Sequence, residues 1–280
     1  MGYGGNCFLG DPDSIDLWTE IIDKIPDEVF LNPDIKILNV ACGYGTESIV
    51  IVRRMRKLGF EDDYINNRIY VLDKAIWATN RMMLHGRFKN VIRADFLTWE
   101  TDMKFDIVVG NPPFGKNANL AMKFLNHAKN FSDEIYMILP KTMRKISYVN
   151  RIDRHLHLIQ DHDNPDSSFG GGIITCWQHW RVESEKRAIH ERFTTHRDFK
   201  FVDKSEANVF VGRVGNGPCA KVKTENFLHY KADHYFLRVA NDDVTEKLKR
   251  LYPLLRRAAC ETVGMPCLSK HDLIKIYIEN

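Results

Sequence analysis

Asn111-Pro112-Pro113-Phe114 is the stretch whose residue types come nearest to specifying a reaction, and it follows a short apolar run, Phe105 to Val109, that reads as a buried parallel strand. Each proline fixes its own φ and lacks a backbone donor, so the loop presents carbonyl oxygens together with the Asn111 amide. Those acceptors suit a planar amino group. Phe114 adds a flat apolar face of nucleobase size, which an extruded base needs in place of the stacking it has lost. A proline pair in a loop is on its own a rigid turn. What sets this one apart is a second loop upstream.

That second loop, Asn39-Val40-Ala41-Cys42-Gly43-Tyr44-Gly45-Thr46, joins the first strand-like run to the first helical pattern, and its two glycines let backbone pass close to a ligand. A nucleotide-type cofactor can lie across it. Ser48 stands where a dinucleotide fingerprint has its third glycine, which disfavours nicotinamide; S-adenosylmethionine has no pyrophosphate to cradle and needs mainly close approach. Asp73, just after the second strand-like run, is placed to accept hydrogen bonds from ribose hydroxyls. Asp95-Phe96, after the third, pairs an acceptor for an adenine amino group with an apolar neighbour for the ring. Taken singly these are a turn, a helix cap, a loop aspartate and a core phenylalanine. Their recurrence at three consecutive strand ends argues for one shared ligand.

On these motifs, residues 10 to about 180 resemble the DNA adenine-N6 methyltransferases that use S-adenosylmethionine, in the group whose target recognition region is C-terminal. The resemblance implies that Ala41, Cys42, Gly43, Gly45, Asp73, Asp95, Phe96 and Asn111 contact the cofactor. Pro12, in Gly10-Asp11-Pro12 before the first helix, occupies the place of a further contact. It implies that Asn111, Pro112, Pro113 and Phe114 form the catalytic loop. Lys141, in the segment Ile135 to Arg144, and Phe169, in Ser168-Phe169, would then shape the pocket of a flipped base. Asn39 stands where the family often has an acid, and Asp11 where it often has threonine. The implied chemistry is direct in-line transfer. Asn111 and the Pro112 carbonyl would accept the two N–H bonds of the adenine amine and raise electron density on its nitrogen. No metal or covalent intermediate is required.

The same loop type occurs in families that methylate a guanine amine in ribosomal RNA or a glutamine side chain. Phe114, and only about 35 residues ahead of the first strand, disfavour the glutamine enzymes. An RNA acceptor, adenine or guanine, stays open, as does a methyltransferase-like subunit that binds nucleic acid without catalysis.

The elements that must position these residues are legible as alternation. Apolar runs at Ile35 to Ala41, Arg68 to Leu72, Val91 to Arg93, Phe105 to Val109 and Ile135 to Leu139 alternate with helical patterns. This predicts an α/β fold with a mostly parallel sheet covered on both faces and ligands beyond the strands' carboxyl ends, the Rossmann-like class I methyltransferase architecture. Thr46 to Leu58 predicts a helix capped by Thr46 and stopped at Gly59, and Ala75 to His85 a helix ended by Gly86. Asp13 or Ser14 is expected to cap the helix through Ile15, Trp18, Ile22 and Ile25. Beyond Trp180 the pattern loosens into runs at Asn208 to Val214 and Phe227 to Val239 and one helix over Val244 to Leu255. The expected division is a catalytic, cofactor-binding domain over 1–180 and a small mixed lobe over 181–280 that contacts nucleic acid.

Across 280 residues Lys and Arg number 40 against 37 Asp and Glu, a net charge of +3, but after Trp180 they number 19 against 14. Local positive charge of that kind suits phosphate contacts, so DNA is the expected partner, with RNA second. No apolar run nears the roughly 20 residues that cross a bilayer, and the start lacks a secretory pattern, so no membrane partner is expected, and the expected location is cytoplasmic, or nuclear in a cell that has a nucleus. The 6 cysteines show no C-x-x-C spacing, which predicts free thiols. His155, His157, His162 and Asp163 cluster without ligand spacing, and no metal is expected there. The basic stretch Lys247, Lys249, Arg250, Arg256 and Arg257, and Arg213 among Gly212, Gly215 and Gly217, suit phosphate or groove contacts, or equally an exposed helix face and a turn.

Overall fold

Apolar runs too short for helices pair side by side in the computed structural model of the protein, which describes residues 12–84, 88–165, 173–217, 219–224, 233–262 and 265–280. In chain order come α1 (Pro12–Asp23), α2 (Asp27–Phe30), β1 (Ile37–Val40), α3 (Thr46–Lys57), α4 (Asp62–Arg68), β2 (Ile69–Asp73) and α5 (Ile76–Leu84). There follow β3 (Asn90–Arg93), β4 (Ile107–Gly110), α6 (Asn119–Ala128), β5 (Glu134–Pro140), α7 (Ile146–Val149), β6 (Leu156–Asp163) and β7 (Thr175–Val182). Among the described residues they build a seven-stranded sheet ordered β3-β2-β1-β4-β5-β7-β6. The first five strands are parallel, and β7 inserts antiparallel between β5 and β6. Every residue of β1 and β4 is buried, as a sheet covered on both faces demands. One such cover is α1, whose Leu17, Trp18, Ile21 and Ile22 join Val50, Ile51 and Met55 of α3 in one core.

Two compact units divide the chain: Met1–Met143 with Ser147–Ile189, and Arg144–Ile146 with His190–Asn280. In the second, β8 (Phe199–Phe201), β9 (Val209–Gly212), β10 (Val222–Lys223) and β11 (His234–Val239) form an antiparallel sheet ordered β10-β9-β11-β8. It carries α8 (Asp242–Arg250), α9 (Tyr252–Cys260) and α10 (Lys270–Glu279). Phe199, Val209, Val211 and Leu237 of one sheet face pack with Leu248, Leu255 and Ile274 from these helices. Within this unit the Lys145 ammonium donates to the carbonyls of Ala258 and Cys267 at 3.0 Å each. On the opposite sheet face Lys200 and Arg238 sit directly across from each other, both exposed, and neither makes an ion pair among the described residues.

Several local expectations are corrected. Thr46 is the first helical residue of α3, and Gly45, in the left-handed region, is its cap, with no side-chain cap bond. Asp13 and Ser14 fall inside α1, which begins at Pro12. The single helix over Val244 to Leu255 is two. α8 is capped by the Asn241 side chain accepting from the Val244 N–H, and α9 starts afresh with Pro253 in its first turn, where a missing donor is tolerated. Gly86 and Phe227 lie outside the described residues. Among the described residues no helix is long and apolar enough to cross a membrane.

Candidate active site

β1 lies between β2 and β4, so the order of the sheet reverses around it, and the loops leaving β1 and β4 flank the crevice where open α/β sheets take ligands. Val40 pairs with Gly110, which brings Ala41 and Asn111 out of the sheet abreast. Gly110 permits that approach: a Cβ there would lie 2.6 Å from the Val40 carbonyl oxygen and 2.8 Å from its Cγ2. The sequence pattern ends this strand at Val109 and gives no sign of the glycine's role.

The β1 loop is held open by repeated left-handed backbone at Ala41 (φ +54°), Gly43 (+50°) and Gly45 (+79°). The Cys42 N–H donates to the Leu72 carbonyl at 3.1 Å. Asp73 locks the same loop to the end of β2, accepting from the Gly43 N–H at 2.9 Å and the Ala75 N–H at 2.8 Å. Each carboxylate oxygen keeps a lone pair for a ligand. A Cβ on Gly43 would meet nothing nearer than the Ala41 carbonyl oxygen at 3.9 Å, so space remains over the loop. Tyr44 packs on Trp77 of α5 with ring centroids 4.7 Å apart, and Ile76 and Trp77 are 56% and 51% exposed, an apolar lip beside Asp73 that the sequence did not reveal.

Beneath the loop lies a buried polar group, equally unforeseen from sequence. The Asn39 amide donates to the Ser48 hydroxyl at 2.9 Å and to the Glu47 carboxylate at 3.4 Å, while Asn39 Oδ1 is buried without a partner. Burial pushes the Glu47 carboxyl up to about 7, against the lowering effect of its own backbone N–H and of Asn39, and Asp73 adds to the rise. The Cys42 thiol is raised as well, by burial first and then by Asp73 and Glu47.

After β3, Asp95 accepts from the Leu97 N–H at 3.1 Å and lies 3.4 Å from the Lys74 ammonium. Phe96 is buried among Phe124, His127 and Phe131, with centroids 5.0–5.4 Å away. After β4, Pro112 is buried, Pro113 exposed, and Asn111 and Phe114 half-buried. Phe114 packs against the main core, and its carbonyl accepts from the Leu120 and Ala121 N–H groups at 3.1 and 3.3 Å, which fastens the loop to α6. Gly115, Asn117 and Ala118 then run left-handed. Among the described residues four non-glycine positions have positive φ, and Ala41, Asn117 and Ala118 are three of them; such strain, roughly 1–2 kcal/mol each, persists where the surroundings dictate it.

Lys141, after β5, is buried and pairs with Asp163 of β6 at 3.0 Å. His155 and His157 bond the carbonyl oxygens of Glu183 and Glu185 at 2.9 Å each, and His162 stacks on Trp177. Among the described residues no three His, Cys, Asp or Glu side chains group as a metal site. Arg213 lies over the Tyr235 ring, with its Nε buried and unbonded. Pro12 opens α1; Gly10, Asp11, Ser168 and Phe169 lie outside the described residues.

A model of the Eco57I restriction-modification methylase family matches residues 46–162, a range that takes in Asp73, Asp95 and Asn111–Phe114 and begins just past Gly45. No curated protein matches the chain. Among solved structures, a protein of Listeria monocytogenes provisionally assigned to the class I S-adenosylmethionine-dependent methyltransferases aligns over 64% of this chain and 63% of its own, with 12% identity and a TM-score of 0.50. The type I restriction enzyme EcoKI M protein aligns over 63% of this chain and 44% of its own, with 16% identity and a TM-score of 0.48. The magnesium protoporphyrin IX methyltransferase of Synechocystis PCC 6803, solved with bound S-adenosylmethionine, aligns over 61% and 78%, with 11% identity and a TM-score of 0.44. The chain thus spans less than two thirds of the Listeria protein and less than half of the EcoKI M protein. Its fold is that of the class I methyltransferases, and residues 46–162 are similar to the restriction-modification methylase model.

Proposed function

From that similarity and the pairing of the two loops, we propose that the protein transfers a methyl group from S-adenosylmethionine to the N6 amine of adenine in DNA. One observation carries the reading: Val40 and Gly110 are register partners, so the loop suited to a cofactor and the loop suited to a planar amine emerge side by side. The residues present fit the cofactor. The left-handed loop over Ala41, Cys42, Gly43 and Gly45 leaves space above Gly43, Asp73 retains acceptor capacity for ribose hydroxyls, and Asp95 with Phe96 follows the next strand. S-adenosylmethionine supplies a methyl already activated on a sulfonium. The chain's own work is to hold the acceptor.

Asn111 and the Pro112 carbonyl accept the two N–H bonds of the amine, which draws its lone pair out of conjugation as the nitrogen becomes tetrahedral. Phe114, with one side fixed to the core, offers the other for stacking; Lys141 belongs to the base pocket in this reading, and Phe169, outside the described residues, is assigned to it by resemblance alone. Residues 1–180 are the catalytic domain in this reading, and 181–280 recognise the target. The exposed like-charged pair Lys200 and Arg238 supports a phosphate partner, because like charges directly opposite on a sheet repel each other until an anion intervenes. Labelled methyl transfer with DNA, total RNA and protein offered in parallel tests the acceptor. Label in DNA is expected; label confined to RNA or protein overturns the DNA reading.

A further inference from the structure

Glu47 holds a position that an acid occupies only for a reason. It lies on the buried stripe of α3 with Val50, Ile51 and Met55, and is 5% exposed. Its carboxylate takes a hydrogen bond from its own backbone N–H and one long contact from the Asn39 amide at 3.4 Å, and among the described residues no Lys, Arg or His pairs with it. The charged and titratable groups that face it are Asp73 across the loop and the Cys42 thiol within it, neither a cation. On α1 and α2, Asp23 and Asp27 are taken up by Arg54 further along α3, and Lys24 pairs with Glu20. Asn39 Oδ1, fully buried, also lacks a donor. The floor of the loop therefore holds two carboxylates and a spare amide oxygen, with acceptors in surplus and positive charge missing. A buried carboxylate without a counter-ion is costly, and a cation that donates N–H bonds relieves that cost when the group ionises.

We propose that Glu47 is a further cofactor-contacting residue, its carboxylate receiving the α-ammonium of the methionine portion of S-adenosylmethionine, with Asn39 supporting it from β1. This rests on the cofactor reading above. Of the groups on that molecule, the sulfonium carries charge without N–H donors and the adenine amine donates without charge; the ammonium does both. The site also accepts the demethylated product, S-adenosylhomocysteine, which keeps the ammonium. It gives no such advantage to methylthioadenosine, which lacks the amino-acid portion.

Proton linkage gives the contact a direction. A carboxyl raised to about 7 is neutral at pH 6 and ionised at pH 8, so ammonium binding strengthens as pH rises through that value. In the unliganded protein the sign is opposite: stability fully present below the ordinary carboxyl range is lost as pH rises from there through about 7, because the unfolded chain ionises freely while the folded state must bury the ion.

Calorimetric titration of wild type and Glu47→Gln with S-adenosylhomocysteine and methylthioadenosine, at pH 6 and pH 8, tests the assignment. Wild type should bind S-adenosylhomocysteine more tightly at pH 8 than at pH 6 and methylthioadenosine equally at both. Glu47→Gln should lose roughly ten- to hundredfold in S-adenosylhomocysteine affinity at pH 8, leave methylthioadenosine unchanged, and melt no lower than wild type without ligand. Equal affinity of variant and wild type for S-adenosylhomocysteine at pH 8 overturns the contact while leaving the cofactor reading intact. Wild type that binds neither compound overturns the cofactor reading and the contact with it. Should the variant fail to fold, the wild-type pH comparison of the two ligands decides alone.

Discussion

Asn111 leaves β4 one residue after Gly110, at a point the sheet fixes, and in the proposed reaction its amide and the next carbonyl would accept the amine. On that proposal its contribution belongs to the transition state, where the amine nitrogen gains charge, more than to cofactor affinity. Asn111→Ala is expected to lower the transfer rate by at least roughly 100-fold, as removal of one placed dipole does elsewhere, while S-adenosylhomocysteine affinity by calorimetry changes little. Equal losses in both would contradict the role. At this scale the sequence is informative wherever a residue type carries its own conformational constraint, as in the two prolines and the glycines at 43 and 45. Glu47 is legible in principle, standing three and four residues before Val50 and Ile51 on the core-facing stripe. It is easily passed over because an acid in that pattern is ordinarily a helix-start residue facing water.

The elements are readable as alternation because a strand buried on both faces must be apolar throughout, and β1 and β4 are largely so. What the pattern cannot show is which strands become neighbours. Gly110 matters only because β4 lies against β1, whose Val40 is 70 positions away. Gly110→Ala would drive a Cβ into the Val40 carbonyl, a backbone atom that cannot swing aside. A destabilisation of about 1–3 kcal/mol is expected, seen as a lower urea midpoint with an unchanged slope. A midpoint equal to wild type would mean that the two strands part easily and that the loops are not held abreast. Helix ends are harder to read than helix bodies. The left-handed Gly45 starts α3 where a threonine cap is expected, and Pro253 divides the C-terminal helical pattern because it supplies a first turn more readily than it continues one.

For the whole molecule, charge is distributed rather than abundant: a net of +3 conceals 19 basic against 14 acidic residues after Trp180. Lys200 and Arg238, opposite each other on β8 and β11, place part of that excess on one exposed sheet face, a juxtaposition that sequence alone could not show because strand register creates it. Replacing both with alanine should leave the unliganded protein as stable, or more stable by about 0.2–1 kcal/mol. The same change should weaken DNA binding and make its salt dependence shallower, by roughly one unit of slope for each phosphate that a removed cation had neutralised. Fluorescence anisotropy across a salt series reads this; unchanged affinity and slope would remove the pair from the interface. The most direct measurement is nucleoside analysis of mixed-sequence DNA after incubation with the protein and methyl-labelled S-adenosylmethionine. The label is predicted in N6-methyladenine, whereas label in another nucleoside, or DNA left unlabelled by a protein that binds the cofactor, would contradict it.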